Sequence, residues 1–252
     1  MIAWLKAWVH ATLWLARHWR GQYQAEEVVV IGPMLSPKEV CVDIGAHAGS
    51  WTRPLARLVP AGRVYAFEAL PHYAAALRRL MQITLTANVT VINAAMSDQP
   101  GTVQIAWRTK AGRKLTGNTH MATNSESDQV ECITVPALTL DGWHATLPPG
   151  TKVGFVKIDV EGAELLVLRG AKAFLQKNRP VIFMEIVTEC CARYGYIPAD
   201  LFRLFGELGY RSYTVQVNRN DGPLHPASDD NYPGKGDVLL LPLEHPANLG
   251  VR

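Results

Sequence analysis

Five apolar runs, VCVDI, RVYAF, NVTVINAAM, KVGFVKIDV and VIFMEIV, alternate with stretches of helical periodicity. A strand that is apolar on both faces must be covered on both, which is how parallel sheets carry their crossover helices. The segments between the runs fit that role. Pro71 opens PHYAAALRRLMQ, rich in strong helix formers. Leu165, Leu168, Ala171 and Leu175 recur at spacings of three and four, predicting one helix from about Glu161 to Lys177. A further helix is expected over Ala199 to Leu208, stopped by Gly209. YRSYTVQV and DVLLLP then read as a closing antiparallel pair. The expected fold is a doubly wound α/β domain on a mostly parallel, seven-stranded sheet.

The alternation pauses once. TVQIAW and VECITVPAL read as two antiparallel strands, joined by RTKAGRKLTGNTHMATNSESDQ, which is basic first and acidic later. A long excursion of this kind is either a substrate cover or a solvated loop. His120 lies in it.

The chain of 252 residues, 48% hydrophobic, is long enough for a full core in one domain, and its net charge of +3 does not suggest a polyanion binder. No nucleic-acid partner is expected. Cys41, Cys132, Cys190 and Cys191 form no C-x-x-C pair, so reduced thiols in a cytoplasmic protein are the economical reading. Residues 1–32 stand apart from the expected domain at 33–252. MIAWLKAWVHATLWLARHWR carries four of the seven tryptophans, with Lys6, His10, Arg17 and Arg20 on roughly one helical face. It is expected to form an amphipathic helix and is too charged to span a bilayer. Two uses stay open for it: peripheral contact with a membrane interface, or packing on the domain or on a second copy.

Charge concentrates where the apolar runs end. Asp43 closes the first, and DIGAHAGSW follows, with glycines at 45 and 49 that allow a sharp turn into a helix and a close approach of backbone to ligand. The spacing is neither G-x-G-x-x-G nor a G-K-[ST] loop, so a phosphate is not the obvious guest. Glu68 ends the second run 25 residues after Asp43, where a carboxylate can accept from ribose hydroxyls. A ligand with a ribose and a cationic amino-acid end matches these two acids. FVKIDVEGAE then brings Asp159, Glu161 and Glu164 together, and Glu185 closes the neighbouring run. Acids there can serve a cationic cofactor, a proton transfer or a hard metal ion, or can simply cap a helix.

In order, VCVDIGAHAGSWT, VYAFEALPHYAAAL, NVTVINAAMSD and FVKIDVEGAELLVLRGA resemble the S-adenosylmethionine-dependent methyltransferases of the FkbM type, over about Val40 to Glu185. The resemblance implies a Rossmann-like class I methyltransferase domain with S-adenosylmethionine as cofactor. It implies that the turn of Asp43, Gly45, Ala46, His47 and Gly49 holds the methionine part, that Glu68 binds the ribose diol, and that Ala95 and Met96 line the adenine. Asp159 would face the reactive end. His47 stands where an asparagine is usual, and Ala69 where a proline commonly follows the ribose acid. Family members commonly methylate hydroxyls of sugars, glycolipids or natural products, which makes a small molecule or glycan the expected acceptor.

A hydroxyl acceptor must lose its proton. Asp159, Glu161 and Glu185 are the candidate catalytic acids, and a divalent cation is another means of acidifying the hydroxyl, with no ligand set assigned. The competing reading is a methyltransferase fold kept as a non-catalytic scaffold that docks on a membrane or partner.

Overall fold

A computed structural model describes residues 27–111, 115, 119–123, 130–217 and 222–245. The amphipathic segment at 1–20 and the middle of the excursion lie outside them. A short helix α1 (Val28–Ile31) leads into β1 (Val40–Ile44), α2 (Thr52–Leu58), β2 (Arg63–Phe67), α3 (Pro71–Ile83) and β3 (Val89–Ile92). These three strands pair in parallel. Val30 and Ile31 of α1 are buried against Leu55 and Val59, so the packed domain begins before residue 33.

The third apolar run does not continue as one strand. Asn93 interrupts it, and its side-chain amide donates to the carbonyls of Glu68 and Ala69 at 2.8 and 2.7 Å. Those bonds tie the end of β3 to the turn after β2 and send the chain into a second sheet. There β4 (Ala95–Met96), β5 (Gly101–Thr109), β6 (His120–Met121) and β7 (Val130–Leu138) lie in the order β4-β7-β5-β6. The two strands flanking the excursion are antiparallel, as the sequence suggests, and a part of the excursion itself, β6, pairs with β5.

After α4 (Leu140–His144) the chain returns as β8 (Phe155–Ile158) to the free side of β1. The helix expected over 161–177 is two helices, α5 (Glu164–Arg169) and α6 (Lys172–Asn178). Gly170 separates them because the backbone there presses on Ser97: an added Cβ would lie 2.2 Å from its carbonyl oxygen. Asp141 of α4 then accepts from the amides of Ala173 and Phe174 and satisfies the new start. The chain finishes with β9 (Val181–Val187), α7 (Thr188–Arg193), α8 (Pro198–Glu207), β10 (Tyr210–Val215), β11 (Leu224–Pro226) and β12 (Lys235–Pro242).

The main sheet has eight strands in the order β11-β10-β12-β9-β8-β1-β2-β3, one more than the sequence suggests because of the short edge strand β11. Strands β9 through β3 are parallel, and β12 and β10 form the expected antiparallel pair. Successive residues of each central strand feed opposite faces: Val42, Val156 and Ile182 enter one core, Cys41, Phe155 and Val181 the other. β1 sits where the chain order reverses, with β2 on one side and β8 on the other. In open α/β sheets the ligand crevice forms there, beyond the carboxyl ends of the strands.

Candidate functional site

The glycine turn after β1 is held from three directions. Gly45 adopts φ +76°, and a Cβ on it would lie 1.8 Å from the carbonyl oxygen of Asp159, so only glycine lets β1 and β8 close at this end. The amides of Gly45 and Ala46 both donate to the carbonyl of Phe67. His47, itself at φ +41°, donates its amide to Glu68 Oε2 at 2.7 Å. Gly49 at φ +81° packs on Leu77, where a Cβ would meet Cδ1 at 2.6 Å.

Glu68 therefore fastens the turn as well as facing the crevice. Its second oxygen accepts from the Leu70 amide at 2.8 Å. The side chain is almost enclosed, and burial pushes its carboxyl up to about 7 despite the two N–H bonds that favour the charged form.

The crevice is a cavity of about 110 Å³. Gly45, His47, Glu68 and Tyr73 form one wall, Ala95 and Met96 an apolar one, and Asp159 and Glu161 an acidic one. Thr119, His120 and Met121 roof it. The Tyr194 hydroxyl donates to the Met121 carbonyl at 2.8 Å, pinning the roof strand to the segment after α7.

Four of the residues expected in the site do not line this cavity. Asp43 is wholly buried beneath it: Oδ2 accepts from the Thr52 hydroxyl at 2.5 Å, which fixes the start of α2 to β1. Ala46 and Gly49 shape the turn without reaching the cavity. Glu185 stands opposite Asp237 in the β9–β12 register, two residues before its strand ends, because β12 extends the pairing to Val187. It acts on the site through its charge, raising the Glu161 carboxyl.

Lys157 is the residue that sequence reasoning passed over. It lies in the fully buried strand β8 with its ammonium 3.0 Å from Asp159 Oδ2, 3.8 Å from Asp43 Oδ1 and 3.3 Å from the Gly45 carbonyl. Burial opposes its charge, but the carboxylates of Asp159 and Asp43 outweigh that and lift its pKa. The signal was present, since a lysine flanked by Phe155, Val156 and Ile158 is never in such a strand for solubility.

The acids of FVKIDVEGAE divide their work. Glu164 is structural: its carboxylate accepts from the amides of Val160 and Gly162 and from the Tyr196 hydroxyl. Gly162, at φ +105°, passes so close to the Cys190 carbonyl that a Cβ would lie 2.3 Å away. That tight loop holds Glu161 at φ +55° against the cavity, with the Arg193 guanidinium on its carbonyl at 3.0 Å. Burial, then Asp159, Glu185 and Glu164, push the Glu161 carboxyl up to about 7. Among the described residues no group of three or more His, Cys, Asp or Glu side chains is placed to hold a metal ion.

Glu68, Glu161 and Asp237 all titrate near 7, above ordinary values of 4.5, 4.5 and 3.8. The folded chain then keeps protons that the unfolded chain has released, so their contribution is full below about 4 and is lost as pH rises through about 7. The melting temperature of the ligand-free protein is expected to fall between about pH 5 and about pH 8. A thermal scan across that range checks it, and Glu68→Gln should flatten the slope.

A parallel sheet with its crevice at the switch point, a glycine turn that is no phosphate loop, and an acid at the end of β2 define a Rossmann-like class I methyltransferase domain. The profile of the methyltransferase FkbM domain matches residues 43–212. The chain belongs to the FkbM family of S-adenosylmethionine-dependent methyltransferases.

No curated protein matches the chain. Among solved structures it is similar to the methyltransferase FkbM of Methylobacillus flagellatus KT, with 17% identity and a TM-score of 0.46, over 82% of this chain and 44% of that one. The chain thus spans less than half of that protein's length. It is also similar to the precorrin-6y C5,15-methyltransferase of Geobacter metallireducens GS-15 (15% identity, TM-score 0.47, 86% and 93% covered). A third is a SAM dependent methyltransferase from Aquifex aeolicus (12% identity, TM-score 0.44, 88% and 94% covered).

Proposed function

We propose that the protein transfers a methyl group from S-adenosylmethionine to a hydroxyl of a sugar, glycolipid or natural-product acceptor. The residues fit that cofactor. The Gly45 backbone leaves room for close approach, Glu68 has lone pairs to spare for a diol, Ala95 and Met96 offer an apolar wall to a purine, and the acids favour a cationic guest. Bound S-adenosylmethionine supplies a methyl carbon on a positively charged sulfur, open to in-line displacement.

The observation that carries the hydroxyl reading is Glu161, a carboxyl that titrates near 7 on the cavity wall beside Asp159. A base poised near neutral pH is matched to taking a hydroxyl proton as the new bond forms. Asp159, anchored by Lys157, orients toward the same space and adds negative charge. Glu185 sustains the raised Glu161 value from behind the wall.

The test is turnover of S-adenosylmethionine against a panel of sugars, glycolipids and polyketide-type alcohols, read by mass spectrometry with and without chelator. Glu161→Gln is expected to lower kcat by about 10²–10⁴ while leaving cofactor affinity within a few fold. Unchanged turnover in that variant removes Glu161 as the base. Activity that vanishes with chelator moves the proton step to a cation.

A further inference from the structure

Residues 190–196, CCARYGY, belong to none of the sequence motifs that build the crevice, yet they touch both its acidic wall and its roof. The Gly162 backbone rests on the Cys190 carbonyl, and the Arg193 guanidinium donates to the Glu161 carbonyl at 3.0 Å. The Tyr196 hydroxyl lies 2.8 Å from the Gly162 carbonyl, and the Tyr194 hydroxyl holds Met121. One short segment thus fastens the loop that carries Glu161 and the strand that covers it.

Within that clamp the two cysteines differ. Cys191 is wholly buried among core side chains. The Cys190 thiol instead faces the acidic wall, with Sγ 3.7 Å from Glu161 Oε2. Among the described residues it is the hydrogen-bond donor that reaches this carboxyl. Burial, and then the Glu161 charge, push the thiol up to about 11, so it keeps its proton and serves as a donor rather than a nucleophile. A thiol is a weak donor, and a bond of that strength can fix one carboxyl oxygen while leaving the group nearly as basic as before. A hydroxyl in its place would hold the charged form more firmly and make a weaker base.

We propose that Cys190 is a positioning residue for Glu161: its thiol fixes Oε2 and leaves Oε1 to meet the acceptor hydroxyl. This rests on the reading of Glu161 as the base. Arg193 and the tight turn at Gly162 hold the Glu161 backbone at φ +55°, but they leave the side chain free to rotate. The thiol supplies the missing constraint, and misplacing a reacting group by about 1 Å can cost about a hundredfold in rate. The other charges around the carboxyl are Asp159 after β8, Glu164 of α5, Glu185 of β9 and Arg193 of α7, while His120 of β6 and Glu68 share the cavity. Asp159, Glu185 and Glu164 raise the Glu161 carboxyl by repulsion and, when ionised, have no proton to donate to it.

The test compares Cys190→Ser with Cys190→Ala, both smaller than cysteine and different in whether a donor remains. In the full chain without ligand, the Glu161 carboxyl is titrated by carbon NMR, its signal assigned by its loss in Glu161→Gln. The midpoint is expected to rise by about half a pH unit in the alanine variant, where the charged form loses its donor, and to fall by a similar amount in the serine variant. With an acceptor that the parent methylates, Cys190→Ala should lower kcat by about tenfold at unchanged affinity for S-adenosylmethionine, and Cys190→Ser should restore part of it. A packing role would affect the two variants alike, so midpoints that move together or stay at the parent value overturn the proposal. Unchanged kcat in the alanine variant overturns it as well. Where the alanine variant does not fold, the downward movement in the serine variant decides. Undiminished turnover in Glu161→Gln removes instead the base on which the proposal rests, a result that the titration does not depend on.

Discussion

Lys157→Met is expected to destabilise the protein by about 3–5 kcal/mol, because it strands a buried carboxylate. Asp43 is wholly enclosed, its Oδ1 accepts no hydrogen bond among the described residues, and the Lys157 ammonium at 3.8 Å is the positive charge that faces it. Burial already pushes Asp43 up, with Lys157 and the Thr52 hydroxyl opposing. Without the lysine, Asp43 must fold protonated. The penalty should therefore shrink as pH falls and grow as it rises, since a raised carboxyl contributes stability only while protonated. Urea unfolding of Lys157→Met at two pH values measures this. Lys157→Met with Asp43→Asn should recover part of the loss, because neither charge of that buried pair then remains. A single variant as stable as the parent at neutral pH would show that the ammonium is not what holds Asp43.

That ion pair also marks the limit of what could be read beforehand. The parallel sheet, the glycine turn and the acids at strand ends follow from local patterns: continuous apolar runs, G-x-x-x-G, and carboxylates placed at the carboxyl edge. Whether an acid faces the cavity depends on register and depth, which no local pattern carries. Asp43 and Asp159 end adjacent strands, yet one is buried under the turn and the other lines the cavity. Periodicity likewise predicted a single helix after FVKIDVEGAE. What split it was the contact of Gly170 with Ser97, 73 residues earlier in the chain, and the cap that Asp141 supplies to the second half. The roof of the cavity was the least legible part: β6 is two residues within a polar stretch, ordered by pairing with β5 and by Tyr194.

Glu68→Ala is expected to weaken cofactor binding by about a hundredfold, the loss of two charge-assisted hydrogen bonds. The effect has two sources that can be separated. Glu68 faces the cavity, and it also accepts the amides of His47 and Leu70, so alanine both removes a ligand contact and leaves two buried N–H groups without their acceptor. Glu68→Gln keeps one acceptor oxygen for the turn and removes the charge; binding intermediate between parent and alanine variant would assign the remainder to the turn. A cofactor analogue lacking both ribose hydroxyls closes the cycle: it should bind the parent poorly and lose little more with Glu68→Ala. Protonation supplies an independent check. The free carboxyl titrates near 7, and hydroxyl donors favour its charged form, so binding should release a proton and tighten as pH rises through about 7. Calorimetry in buffers of different ionisation enthalpy reads that proton directly. If the analogue loses as much again in the alanine variant as in the parent, Glu68 acts only by holding the glycine turn, and the diol is bound elsewhere.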